Sequence, residues 1–191
     1  MQVEDDRFAR HYRRIQLGLR LLSHGARAQT ASEWSGLTPD RLVTLKRRWM
    51  PQRRDAFRGP APTSFQLFFR SSSRTRCAAL FASIHAAILE EASDKSGAKN
   101  LLVGLDNGER LCEAFEICQE WQPAHDLEFD QAVLLARGVA ASEDLELARC
   151  SVCRCALLID RLALGRDTCV RCRRDAAHRP RDQERHLTPR T

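Results

Sequence analysis

The segment CSVCRCALLIDRLALGRDTCVRC, Cys150 to Cys172, decides how the C-terminal part of this chain folds. It holds five of the eight cysteines in a sequence of 191 residues. Cys150 and Cys153 form one C-x-x-C, Cys169 and Cys172 form another, and 15 residues separate the pairs. Each C-x-x-C turn presents two thiolates, and two such turns complete a tetrahedron with Zn–S bonds of about 2.3 Å. A piece of roughly twenty-five residues buries too little apolar surface to fold alone, so a metal supplies the cross-link. The spacing predicts one structural Zn2+ per chain on Cys150, Cys153, Cys169 and Cys172, with no coordination position left open for water. An iron–sulfur cluster is the second option, because four thiolates also suit it. A redox C-x-x-C is the third, although no thioredoxin-like βαβ pattern surrounds either pair. Cys155, two residues past the first pair, reads as a free thiol, with a substitute ligand or an oxidation-sensitive neighbour as the alternative. Cys77, Cys112 and Cys118 fall in helical segments and read as packing residues.

Charge is distributed unevenly around this segment. Residues 1–58 carry 13 basic and 6 acidic side chains, residues 59–148 carry 7 and 14, and residues 149–191 carry 11 and 5. Two basic ends therefore flank an acidic middle. Basic ends suit a polyanion, while the acidic middle is expected to face water or a protein. Of 31 basic residues only Lys46, Lys95 and Lys99 are lysine, and the guanidinium fork matches phosphates and guanine edges; arginine-rich composition of the genome is the plain alternative. No apolar run has membrane-spanning length and the first residues are charged, so a cytoplasmic protein is expected. There, cysteines serve as metal ligands or packing groups rather than disulfides. The histidines are scattered, and no Ser-His-Asp order or phosphate-cradling glycine loop stands out, so no enzyme activity is expected.

Periodicity predicts a mainly α-helical fold. Over 4–24, Phe8, Tyr12, Ile15, Leu19 and Leu22 recur at helical steps and form an apolar stripe, for the protein's own core or for a partner helix. Helices follow at 28–35 and from Thr38 to Trp49, the latter opened by a hydroxyl N-cap, a proline and an acid. A loop is expected over 50–64, a helix over 77–92 and a loop over 93–100. Residues 101–105 read as a short strand or a helix start, and helices are expected again over 107–121 and 128–140. After Cys172 the tail has one leucine and reads as disordered. The resulting domain reading is an N-terminal helical region 1–58, an acidic helical middle 59–148, a four-cysteine zinc subdomain 149–175 and a basic tail 176–191.

ASEWSGLTPDRLVTL, residues 31–45, fits a helix-turn-helix. Ala31 and Ser32 are small, Gly36 makes the turn, Leu37 plugs the angle, and Leu42 and Leu45 face inward. Thr38, Arg41 and Thr44 are then candidates for base contact, Arg47 and Arg48 for phosphate contact, and Lys46 is a further DNA-binding candidate.

With these motifs in place, the chain resembles the FlhC family, the zinc-containing subunit of the flagellar master transcription activator of proteobacteria. GLTPDRLVTLKRRW is similar to the family's helix-turn-helix, and RGPAPTSFQLFF to the loop and aromatic stretch that follow it. DQAVLLARGVAASEDLELARCSVC resembles its last long helix running into the first C-x-x-C. Cys150, Cys153, Cys169 and Cys172 stand at the family's zinc positions. One departure is Arg154, where the family commonly has glycine. The resemblance implies a DNA-binding activator subunit that works in a hetero-oligomer with FlhD, binds upstream of flagellar promoters and helps to recruit RNA polymerase. Phe8, Tyr12, Ile15, Leu19 and Leu22 are then the candidate partner surface. Two other function classes fit the residues: a zinc-stabilised interaction adaptor without DNA readout, and a thiolate or iron–sulfur redox sensor.

Overall fold

The computed structural model describes residues 2–51, 60–96, 103–124, 126–162 and 167–177. Its elements, in chain order, are α1 (Gln2–Ser23), α2 (Ala28–Ser35), α3 (Pro39–Trp49), a 3-10 turn (Phe65–Phe69), α4 (Ser72–Ser96), α5 (Leu105–Trp121), α6 (Phe129–Ala141), β1 (Leu145–Arg149), β2 (Ala156–Asp160) and α7 (Val170–Ala177). The fold is mainly α, with a four-cysteine cluster at its C-terminal end.

Local chemistry sets several of these boundaries. Gly36 ends α2 in the left-handed conformation, φ 67°, and its N–H bonds to Ser32 O. Thr38 Oγ1 accepts the Arg41 N–H at 3.4 Å, and Pro39 opens α3. These are the N-cap and first-position preferences of a helix whose first N–H groups lack intrahelical partners. A reciprocal cap between Glu128 and Gln131 starts α6. Ser142, at φ 55°, stops it and turns the chain into β1. β1 and β2 pair antiparallel, from Leu145 opposite Asp160 to Arg149 opposite Ala156.

One apolar core runs from Leu17 in α1 to Leu158 in β2. Phe81, Phe115 and Phe129 meet edge to face at its centre, with ring centroids 5.0 to 6.4 Å apart. The hairpin joins this core through Leu145 and Leu158, packing β1 on α6 and β2 on α4. β1 thus begins inside the segment 59–148 and crosses the domain boundary expected at 149.

Three expectations change. No long helix runs into the first C-x-x-C, because α6 stops at Ala141 and residues 145–149 form a strand. Leu145 and Leu147 alternate with Glu146 and Ala148, the period of a half-buried strand. The tail reading also shifts: α7 continues to Ala177, and residues 178–191 lie outside the described residues. Finally, α4 extends past the expected 77–92 at both ends, and of the two readings of 101–105 the helix start holds, with α5 beginning at Leu105 and no strand at 103–104. The rest of the expected 93–100 loop, 97–100, and residues 101–102 fall outside the described residues, as do 52–59 of the loop at 50–64.

The acidic middle pairs with the basic N-terminal region. Arg13 bonds to Asp106 and Glu109, each at 2.8 Å. Arg20 grips Glu116 with two bonds of 2.8 and 2.5 Å, and Arg27 meets Asp130 at 3.1 Å. Four of the middle's 14 acids are thus matched by N-terminal arginines inside the chain.

His85, 4% exposed on α4, stacks on Phe81, and its Nε2 has no hydrogen-bond partner. Burial pushes its pKa down from 6.5 to about 4. The unfolded chain takes up a proton there below about pH 6.5 that the folded chain refuses. Stability from this site is complete above that pH and is lost as pH falls toward 4, by about 3 kcal/mol in all. Urea melts at pH 7 and pH 5 are expected to show His85→Leu losing about 2 kcal/mol less than the parent chain over that interval.

Candidate metal centre and helix-turn-helix face

The hairpin turn and the start of α7 carry the four cysteines to one point. The Sγ atoms of Cys150, Cys153, Cys169 and Cys172 all lie within 4.8 Å of one another. Cys153 and Cys169 are 3.7 Å apart. A tetrahedron with metal–sulfur bonds of about 2.3 Å has edges of about 3.8 Å. The spacing therefore fits a four-thiolate metal site. Cys150 is buried, Cys169 and Cys172 are half-buried, and Cys153 is exposed.

Backbone N–H groups aim at these sulfurs. Cys169 N–H reaches Cys150 Sγ at 3.3 Å and Cys172 N–H reaches Cys169 Sγ at 3.4 Å. The amides of Cys153 and Cys169 hold the Cys150 thiol down to about 6. The Cys172 amide likewise lowers Cys169. Cys172 is pushed up by its hydrogen bonds to Cys169 and Cys153. Four thiols this close cannot all ionise unaided, and a bound divalent cation stabilises the fully deprotonated set.

The first knuckle extends the β-ladder. Cys150 N–H bonds to Cys155 O at 2.9 Å, Arg154 N–H bonds to Cys150 O at 3.0 Å, and Ser151 N–H reaches Asp167 O at 2.8 Å. Arg154 has φ 62°, in the left-handed region that favours glycine. The departure from the resembled family's glycine thus keeps the turn, at a backbone cost of about 1 kcal/mol. Cys155 stands beside the cluster but outside the four. Desolvation, and then the thiols of Cys153 and Cys169, push its pKa up. Cys77, Cys112 and Cys118 are buried packing groups far from ligand duty. The neighbouring Cys118 thiol pushes the Cys77 pKa up, and burial pushes Cys112 up to about 12.

At the other end of the chain, α2 and α3 pack on α1. Ala31, Leu37 and Leu42 are buried. A Cβ on Gly18 of α1 would stand 2.8 Å from Leu42 Cδ2 and 3.2 Å from Leu37 Cδ1, so the two helices close on the bare backbone there. Thr38, Arg41, Thr44, Arg47 and Arg48 are all exposed. Lys46 is half-buried, next to Leu42 on the inward side of α3, and stands apart from that exposed face. Thr44 spends its hydroxyl proton on Asp40 O at 2.9 Å, which leaves it an acceptor only.

The stripe Phe8–Tyr12–Ile15–Leu19–Leu22 divides. Leu22 is buried, Ile15 packs partly against the core, Leu19 is half-buried, and Phe8 and Tyr12 are 74% and 53% exposed. The core face of α1 is centred on Leu17, Gly18 and Leu21, which sequence reasoning missed because a glycine at its centre breaks the apolar count. Among the described residues no helix is long and apolar enough to cross a membrane. Comparison with models of known protein families and with curated proteins gives no match for this chain.

Serine at Cys150, Cys153, Cys169 or Cys172 is expected to abolish tight metal retention, whereas Cys155→Ser keeps it; metal analysis after dialysis decides. In the metal-loaded protein, Arg154→Gly is expected to leave stability unchanged or raise it by up to about 1 kcal/mol. Arg154→Val should lower it, because a β-branched residue fits the left-handed region badly. Thermal melts of the three proteins check that order.

Proposed function

We propose that this chain is a DNA-binding transcription activator subunit that holds one structural zinc ion and acts in a complex with a protein partner, as its resemblance to FlhC implies. The observation that carries the reading is the α2–turn–α3 unit. Its inward residues seat it on α1, while Arg41, Thr44, Arg47 and Arg48 remain exposed along α3. A helix held in this way can enter a major groove, with residues near its N-terminus at base edges and later arginines at phosphates.

Four thiolates at tetrahedral spacing favour zinc over harder cations. Cys150, Cys153, Cys169 and Cys172 fill all four positions, so the ion cross-links the two knuckles and does no chemistry on a substrate. The proposed partner, FlhD-like, covers the aromatic end of α1, where Phe8 and Tyr12 stack with centroids 6.5 Å apart. In this reading the complex sits upstream of promoters in the cytoplasm and recruits RNA polymerase. An adaptor without DNA readout is the competing class, and it would bind duplex DNA without steep salt dependence.

Fluorescence anisotropy on promoter-region DNA tests the reading. Arg47→Ala and Arg48→Ala are each expected to weaken binding to all sequences and to flatten the salt slope by about 0.9. Arg41→Ala should change sequence preference. Binding indifferent to all three would take α3 out of the interface. For the partner, Phe8→Glu with Tyr12→Glu is expected to leave the helical content and metal intact while abolishing co-purification of the second subunit. Retained co-purification would rule out this face.

A further inference from the structure

The arginines of α1 fall into two sets. Arg13 and Arg20 turn toward α5 and are neutralised there by Asp106, Glu109 and Glu116. Arg7, Arg10 and Arg14 recur at steps of three and four and therefore share one face. That face continues the core-facing stripe of Leu17, Gly18 and Leu21 one step further along the helix. All three arginines are exposed, and none pairs with a carboxylate among the described residues. Residues 6–14 of α1 are exposed throughout, so this part of the helix runs on past the packed body.

The place of this stripe is fixed by Arg14. A Cβ on Gly36 would stand 3.7 Å from Arg14 Nε and 3.9 Å from Nη2. The guanidinium therefore lies over the turn between α2 and α3, next to the N-terminal end of α3. Arg10 and Arg7 follow one and two turns farther out. From Arg7 to Arg14 the axial distance is about 10 Å. The aromatic pair Phe8 and Tyr12 occupies a different side of the same helix.

We infer that Arg7, Arg10 and Arg14 form a second DNA contact, a phosphate-binding stripe that grips the backbone beside the groove entered by α3. The inference rests on the helix-turn-helix reading and adds to it a surface outside the motif. The unpaired charge and its placement at the motif's turn point to the same ligand. Arginine also suits it, through bidentate bonds to phosphate oxygens.

Because phosphate contact is independent of sequence, the full chain and a labelled duplex of random sequence suffice for the test. The slope of log affinity against log salt is measured for three variants. Arg7→Gln/Arg10→Gln/Arg14→Gln is expected to lower the slope by two to three units, at about 0.9 per lost contact. Arg7→Lys/Arg10→Lys/Arg14→Lys keeps the charge and should hold the slope near the parent value. Arg41→Gln/Arg47→Gln/Arg48→Gln reports on α3 alone. If the α3 triple loses slope and the α1 glutamine triple does not, the stripe is refuted and the helix-turn-helix reading stands. If the α3 triple keeps the parent slope, or the parent chain shows no salt-dependent binding, that reading falls and the stripe falls with it. Glutamine is a good helix former, and circular dichroism with metal content confirms that each variant is folded.

Discussion

The close seating of α1 determines what the rest of the molecule can present. Leu17 wedges between α5 and α2: a Cβ on Gly108 would stand 2.8 Å from its Cδ2 and 3.4 Å from Trp34 Cβ. One residue later, Gly18 lets Leu37 and Leu42 approach. These two contacts fix the rotation of α1 about its own axis, and its charged residues are sorted as a consequence. Arginines rotated toward α5 find carboxylates. Those in line with the core face, but beyond the end of the core, find none. Individual ion pairs at such exposure contribute little to stability, so packing sets the arrangement and the salt bridges follow it.

The metal centre depends on the same core. The hairpin is already anchored by Leu145 and Leu158 before any metal is considered. A metal held by the four thiols would therefore be a local cross-link. It would close the knuckle at residues 150–155, fasten the second knuckle to it, and hold the first turn of α7, where Cys172 sits. A four-thiolate site that completes a hairpin differs from one that creates a domain. In the first case metal loss frees an end, and the aromatic cluster of Phe81, Phe115 and Phe129 retains its own contacts.

Features encoded by local chemistry were legible in the sequence. Thr38-Pro39-Asp40 named the start of α3, Gly36 named the turn, and the two C-x-x-C pairs named the four sulfurs that come together. The helices 107–121 and 128–140 followed from period alone. The β-hairpin was hidden because its two strands are only five residues each, and the first follows directly on a helix that could be read as continuing. The true core face of α1 was hidden for another reason. Its centre is a glycine, whose value lies in the space it leaves, and no hydrophobicity count registers that. Charge by segment was legible, but its internal cancellation was not, since partners such as Arg20 and Glu116 are 96 residues apart.

That internal cancellation changes how the molecule behaves at a distance. The net charge of +6 is an average over a surface that carries both signs. Arg7, Arg10, Arg14, Arg41, Arg47 and Arg48 lie on α1 and α3, while Glu90, Glu91, Glu113 and Glu120 are exposed on α4 and α5. Where such charges are unevenly spread, a body has a dipole as well as a net charge, and in the field of a polyanion a dipole feels a torque before any contact is made. Most encounters then begin in a narrow range of orientations, and adding salt shortens the distance over which this alignment acts.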